Sequence, residues 1–238
     1  MKTLFSPALS FALFLSSAQA GIVIDSTRVI YPADKREVTL GMTNHADTPR
    51  LIQAWIDSGD PEASIVKATV PFIVTPPIFR LDAGKGQTLR ILFTGGNVPQ
   101  DRESVFWLNV QEVQPKPAGK ANRTKDYVHF SVRSRLKIFY RPQGLPGSPE
   151  QAISALRWHA VDGGLECENP SAFNVSINNI RIASDADNSG DRRNGMCPAK
   201  GTKMFSFKKT ETEDNKKLSL SIINDYGYFV KHDTTYTK

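Results

Sequence analysis

The chain has 238 residues, 39% of them apolar and 23% charged, with 30 basic against 24 acidic side chains and a formal net charge of +6. That length is more than one β-sandwich needs and suits two domains of roughly 90 to 120 residues. The basic excess favours anionic partners, but the charges are spread rather than blocked, which lends no support to nucleic-acid binding.

Residues 1–20 begin with Lys2, continue through an apolar run from Leu9 to Leu15, and end in Ala18-Gln19-Ala20. This is the layout of a secretory signal peptide with a small-residue cleavage site, and its apolar run is too short to span a bilayer. The mature chain is predicted to start at Gly21 in an exported protein, which weakens a nucleic-acid role further. No later segment reads as transmembrane, so an integral membrane protein is not expected.

From Gly21 the apolar pattern predicts short strands over 21–25, 37–43, 51–56, 87–93, 105–113 and 127–140. Between them lie turn-rich pieces at 31–34, 44–49, 75–77 and 94–99, and Gly84-Lys85-Gly86 reads as a tight turn. The last of these strands alternates: Val128, Phe130 and Val132 share one face, while His129, Ser131, Arg133, Arg135 and Lys137 fall on the other. Burying both faces inside one domain would bury unpaired charge, so the strand reads as half-exposed or intermolecular.

Residues 141–149 carry three prolines and two glycines, a composition that cannot continue a central strand. This places a hinge at 142–149 between a domain at 21–141 and a second at 150–238. Short strands are again predicted at 153–161, 164–168, 174–183, 202–207, 218–224 and 227–231, with a loop at 185–194. Many short strands without helical periodicity argue for all-β sandwiches of immunoglobulin-like size. Cys167 and Cys197 are the only cysteines. In an oxidising compartment an even pair reads as a disulfide, with a stabilisation of about 3 to 4 kcal/mol for a loop of this length.

An enzyme is not expected. His45, His129, His159 and His232 share no metal-ligand spacing, and no phosphate-binding glycine loop or nucleophile with an adjacent base is present. No cofactor or metal is predicted, and no ATP dependence. The isolated cations Arg28 and Lys137 have no special status from pattern alone.

Several segments do carry a resemblance. Thr27-Arg-Val-Ile-Tyr31, Gln53-Ala-Trp55, Phe72-Ile-Val-Thr-Pro-Pro-Ile-Phe-Arg80, Gln87-Thr-Leu-Arg90, Asp101-Arg-Glu-Ser-Val-Phe-Trp-Leu-Asn109, Ser134-Arg-Leu-Lys-Ile-Phe-Tyr-Arg-Pro142, Asn169-Pro-Ser171 and Asn224-Asp-Tyr-Gly227 occur in this order. Together they resemble the periplasmic pilus chaperones of the PapD-like, chaperone-usher family, over essentially the whole mature chain.

The resemblance implies two immunoglobulin-like β-sandwich domains in an L or boomerang arrangement. It implies a periplasmic, non-enzymatic chaperone that binds pilus subunits by donor-strand complementation and delivers them to an outer-membrane usher. By position it makes Val128, Phe130 and Val132 the donated knobs. Arg28 and Lys137 become the clamp for the terminal carboxylate of the bound pilin, and Glu103, Arg141 and Asp225 an interdomain charge network. The moderate 113–127 connection, without a cysteine pair, points to the branch with a short loop before the donor strand. An exposed edge of this kind also suits self-capping as a homodimer.

Two positions depart from the family pattern: Asn169-Pro-Ser-Ala-Phe-Asn174 replaces a more proline-rich aromatic run, and Phe130 is bulkier than an aliphatic knob. Lys137 also differs in parity from the three knobs. Either the cleft lies on the other face at that end of the strand, or twist or a bulge re-aims the side chain. The competing reading is a structural or adhesive two-domain subunit of a surface fibre. Against it, the segment before Arg28 is too short for a detachable donor arm.

Overall fold

A computed structural model describes residues 21–60, 70–115, 130–182, 193–206 and 217–237. The first sandwich contains β1 (Ile22–Ile24), β2 (Arg28–Pro32), β3 (Glu37–Asn44), β4 (Arg50–Asp57), β5 (Phe72–Thr75), β6 (Ile78–Leu81), β7 (Gly86–Phe93), β8 (Ser104–Val113) and β9 (Ser131–Arg141). One sheet has the order β1-β3-β7-β5 and the other β2-β9-β8-β4-β6. Alternation drives the packing. Val29 and Tyr31 of β2, Ile52, Ala54 and Ile56 of β4, Phe106, Leu108 and Val110 of β8, and Leu136, Ile138 and Tyr140 of β9 all enter one core. Leu40, Met42, Leu89 and Ile91 meet them from the other sheet.

The second sandwich follows a short helix, α1 (Pro149–Ala155), which Ser148 caps by accepting the Gln151 N–H and which Pro149 opens; serine there satisfies an otherwise orphaned donor. Its strands are β10 (Arg157–Val161), β11 (Gly164–Asn169), β12 (Val175–Ile182), β13 (Gly195–Cys197), β14 (Gly201–Ser206), β15 (Lys217–Ile223) and β16 (Phe229–Thr235). They form sheets of order β10-β11-β14 and β13-β12-β15-β16. Cys167 and Cys197 are bonded with Cα atoms 6.2 Å apart, joining β11 to β13.

Two sequence expectations are corrected. Residues 153–155 are helical rather than extended, because Ser148 and Pro149 start a helix that the apolar residues Ile153 and Leu156 dock onto the second core. The turn expected at 31–34 begins later: Tyr31 and Pro32 belong to β2, held by parallel pairing with β9. Proline is tolerated there because β2 is an edge strand. The short strands β2, β5, β6 and β13 have no counterpart among the predicted ones. Thr75 and Pro76 are joined by a cis peptide in the turn between β5 and β6. The expected signal peptide, Val128, most of the 113–127 connection and most of the 185–194 loop lie outside the described residues.

Candidate functional site

The site is built on the last strand of the first sandwich. β9 pairs with β8 along its whole length, from Ser131 opposite Val113 to Tyr140 opposite Ser104, with no slip in register. On its other side β2 covers only the C-terminal half, running parallel from Arg28 opposite Lys137 to Pro32 opposite Arg141. Among the described residues nothing pairs with that second edge over Ser131–Leu136. Half of the strand therefore presents unpaired backbone groups, which are a template for another strand.

Unbroken register settles how the side chains divide. Leu136, Ile138 and Tyr140 face the core, and Val132 lies on the same side by strict alternation. Val132 is 54% exposed and Phe130, just before the strand, 68% exposed, so this apolar face continues past the cover of the opposing sheet. Lys137 lies on the opposite face, with Arg133 and Arg135. No bulge re-aims it.

On that opposite face, Arg28, Lys137, Trp107 and Asp57 form a row of directly opposed residues crossing β2, β9, β8 and β4. Asp57 is buried and takes both Nη2 contacts of Arg135, at 2.8 and 3.0 Å, together with the Asn109 amide at 2.7 Å. Arg135 lies 4.8 Å and the Lys137 ammonium 5.5 Å from the centre of the Trp107 ring. Trp107 is thus a shelf for cations, attractive because the ring face is electron-rich. Sequence reasoning missed Asp57, Trp107 and Arg135 here; the charges were visible, but the row depends on register.

Arg28 is 7% exposed. Its Nη1 donates to the Ile223 carbonyl at 3.0 Å, reaching the second domain, while its buried Nε has no partner. Burial lowers its pKa, with Asp225 acting in the opposite direction. The Lys137 ammonium lies 3.4 Å from the Ser176 hydroxyl of the second domain. Burial, and then the neighbouring Arg28 charge, lower the Lys137 pKa to about 8. Neither cation has an acidic side chain within ion-pairing distance among the described residues, so the cleft holds positive charge with a free hydrogen-bond donor.

At the end of the same strand, Arg141 bridges the domains. Its Nε lies 2.6 Å from Glu103 and its Nη2 2.8 Å from Asp225. Glu103 also accepts the Asn174 N–H at 2.9 Å, and its own N–H donates to the Ala172 carbonyl at 2.9 Å. Burial pushes the Glu103 carboxyl upward against the pull of Arg141 and Asn174. Burial also works against the Arg141 charge, but the Glu103 and Asp225 carboxylates more than offset it and hold its pKa above the usual value. Asn174, in the segment that departs from the family's usual pattern, is therefore part of the domain contact.

Residues 21–146 match the profile of the pili and flagellar-assembly chaperone, PapD N-terminal domain, and residues 151–234 that of the pili assembly chaperone PapD, C-terminal domain. The chain belongs to the PapD family of pilus-assembly chaperones. It is 44% identical over 225 residues to the chaperone protein FimB/FhaD of Bordetella pertussis, covering 92% of this chain and 90% of that one. Among solved structures, it resembles the CupB2 chaperone of Pseudomonas aeruginosa with TM-score 0.73 and 34% identity, over 90% of this chain and 100% of that one. It also resembles a chain of the Salmonella enterica SafA pilin complex with the SafB chaperone, with TM-score 0.75 and 26% identity, over 92% and 96% of the two chains.

Proposed function

We propose that this protein lends the open edge of β9 to an incomplete pilus subunit and anchors the subunit's terminal carboxylate between Arg28 and Lys137. The chain is a chaperone of pilus subunits by family and is not an enzyme. The observation that carries the anchor is the pair of adjacent cations, Arg28 buried and Lys137 half-buried, with an unpartnered Arg28 Nε and no acidic neighbour in ion-pairing range among the described residues. A carboxylate placed there gains charge-assisted hydrogen bonds and relieves the repulsion between the two cations. That contact fixes the register from which a strand of the pilin can pair along Ser131–Leu136. Val132 and Phe130, with Val128 as the third knob, then enter the groove of the subunit.

Arg141, Glu103 and Asp225 serve to hold the two sandwiches at the angle that brings Ser176 and the Ile223 carbonyl up to the clamp. The protein acts in the periplasm after export with its leader removed, and hands subunits to an outer-membrane usher. Without a subunit, the same edge gives a route to self-capping as a homodimer. The moderate length of the 113–127 connection and its lack of a cysteine pair favour the short-loop branch of the family.

The test is co-expression with the cognate fimbrial subunits, with the wild-type protein, Arg28→Ala or Lys137→Ala. Soluble complexes are expected with the wild type and are lost in both variants. Pilin yields that never depend on the protein would overturn the reading and favour a fibre subunit instead.

A further inference from the structure

The beginning of the first domain carries a contact that strand donation does not use. Gly21 precedes β1, and its carbonyl accepts the His45 N–H at 2.9 Å. The next N–H, of Ile22, donates to Oε2 of Glu112 at 3.3 Å. Glu112 sits near the end of β8, its Oε1 2.6 Å from the Arg50 Nε of β4, with the two side chains only 12% and 11% exposed. A Cβ added to Gly21 would stand 2.6 and 2.7 Å from the two Glu112 oxygens. The carboxylate is therefore pressed directly onto the Gly21 backbone, and glycine is the residue that leaves it room.

A nearly buried carboxylate can use more than one cation, because each hydrogen bond to the charged form offsets part of its desolvation. In an uncut chain the nitrogen of Gly21 is a neutral amide. Hydrolysis of the Ala20–Gly21 bond, by a leader-removing peptidase, adds the hydroxyl of water to the Ala20 carbonyl carbon and a proton to the Gly21 nitrogen. The amine so formed has an ordinary pKa of about 7.7 to 8.0 and is mostly ammonium at neutral pH.

We propose that the chain is cut between Ala20 and Gly21 and that the Gly21 ammonium is held by Glu112, making a three-membered ion cluster with Arg50. This rests on the reading of the protein as exported with its leader removed. Glu112 from β8 already pairs with Arg50 from β4, so one carboxylate would serve both cations. β1 has three residues and, among the described residues, pairs only with β3. Such a short terminal strand frays unless its end is tied. The ammonium would tie it across the sandwich, from the sheet of β1 to the sheet of β8. Maturation then does more than release the chain from its leader; it completes the first domain.

The test has two arms. N-terminal sequencing of the protein recovered from the periplasm is expected to read Gly-Ile-Val-Ile. Thermal unfolding is then compared for chains starting at Gly21 or retaining Ala20, each with Glu112 intact and as Glu112→Gln. One retained residue moves the ammonium by about 3.8 Å. It is expected to lower Tm by about 2 to 4 °C with Glu112 intact, and to change it little in Glu112→Gln. Equal shifts in both backgrounds, or no shift in either, would overturn the ion cluster while leaving export intact. A start at another residue would refute the cleavage site itself.

Discussion

Arg28 stands directly opposite Lys137 across the parallel pairing of β2 and β9, so two cations share one face of the sheet at the mouth of the interdomain cleft. In the free protein this juxtaposition costs stability, since burial and like charge both oppose ionisation. A carboxylate placed between the two cations would cancel the repulsion and, through charge-assisted hydrogen bonds, offset part of the cost of burial.

The first consequence is a pH dependence of pilin binding. Lys137 titrates at about 8 in the free protein, and a carboxylate needs it protonated. Above that pH each complex must take up a proton, so affinity is expected to fall by up to about tenfold per pH unit. Lys137→Arg should remove the decline through pH 10, because guanidinium stays charged. Calorimetric titration with a pilin-derived peptide between pH 7 and 10 checks both.

Folding stability should move in the opposite direction. The folded pKa of Lys137 lies below its ordinary value of 10.5, so between about 8 and 10.5 the unfolded chain binds more protons than the folded one. Stability contributed by this group therefore rises with pH across that window, and the cost of its burial is fully present below pH 8. Urea unfolding at pH 7.5 and 9.5 should show the gain in the unliganded wild type and not in Lys137→Met.

Arg141→Ala should be the most damaging substitution at the domain junction. It leaves Glu103, whose side chain is 1% exposed, without its cation and also frees Asp225. Removing one partner of a buried pair costs about 3 to 5 kcal/mol; the partly exposed Asp225 arm adds little. Denaturant unfolding measures the loss, and small-angle scattering should report a wider distribution of domain angles.

Two positions on the same face of β9 should separate binding from folding. Val132→Ser alters an exposed side chain and is expected to change stability by no more than about 0.5 kcal/mol, while weakening capture of the pilin. Leu136→Ala, four residues on and inside the core, should cost about 2 to 5 kcal/mol. If Val132→Ser left pilin capture unchanged, the donated-knob role would fail for that residue.

Cys197→Ser opens a crosslink spanning 30 residues. The second domain should lose about 3 to 4 kcal/mol by the chain-entropy argument. Reduction of the wild type should reproduce that loss, with the first domain unaffected.

Much of this was legible in the sequence because period-two alternation reports burial. Alternation put Val128, Phe130 and Val132 on one face of the strand and gave Lys137 the opposite parity. Alternation could not say which of two explanations held for Lys137, since that needed the uninterrupted register between β8 and β9. Asp57 and Trp107 escaped notice for a related reason: they meet Lys137 and Arg135 only through cross-strand neighbours about 80 and 30 residues away, and such pairings follow from topology rather than local pattern. Residues 153–155 misled because Ile153 and Leu156 are apolar in either conformation, and the Ser148-Pro149 helix start outweighed them. Tyr31 and Pro32 misled because a tyrosine-proline pair resembles a turn, yet an edge strand accepts it.

In the complex we propose, a strand of the pilin pairs with the open half of β9 while its terminal carboxylate sits between Arg28 and Lys137. Amide hydrogen exchange on the complex tests it most directly, using a peptide from the carboxyl end of the pilin as the free acid and as the amide. Strong new protection is expected at alternate amides of Ser131–Leu136 with the free acid, and much weaker protection with the amide. Protection elsewhere, or equal protection with both peptides, would contradict it.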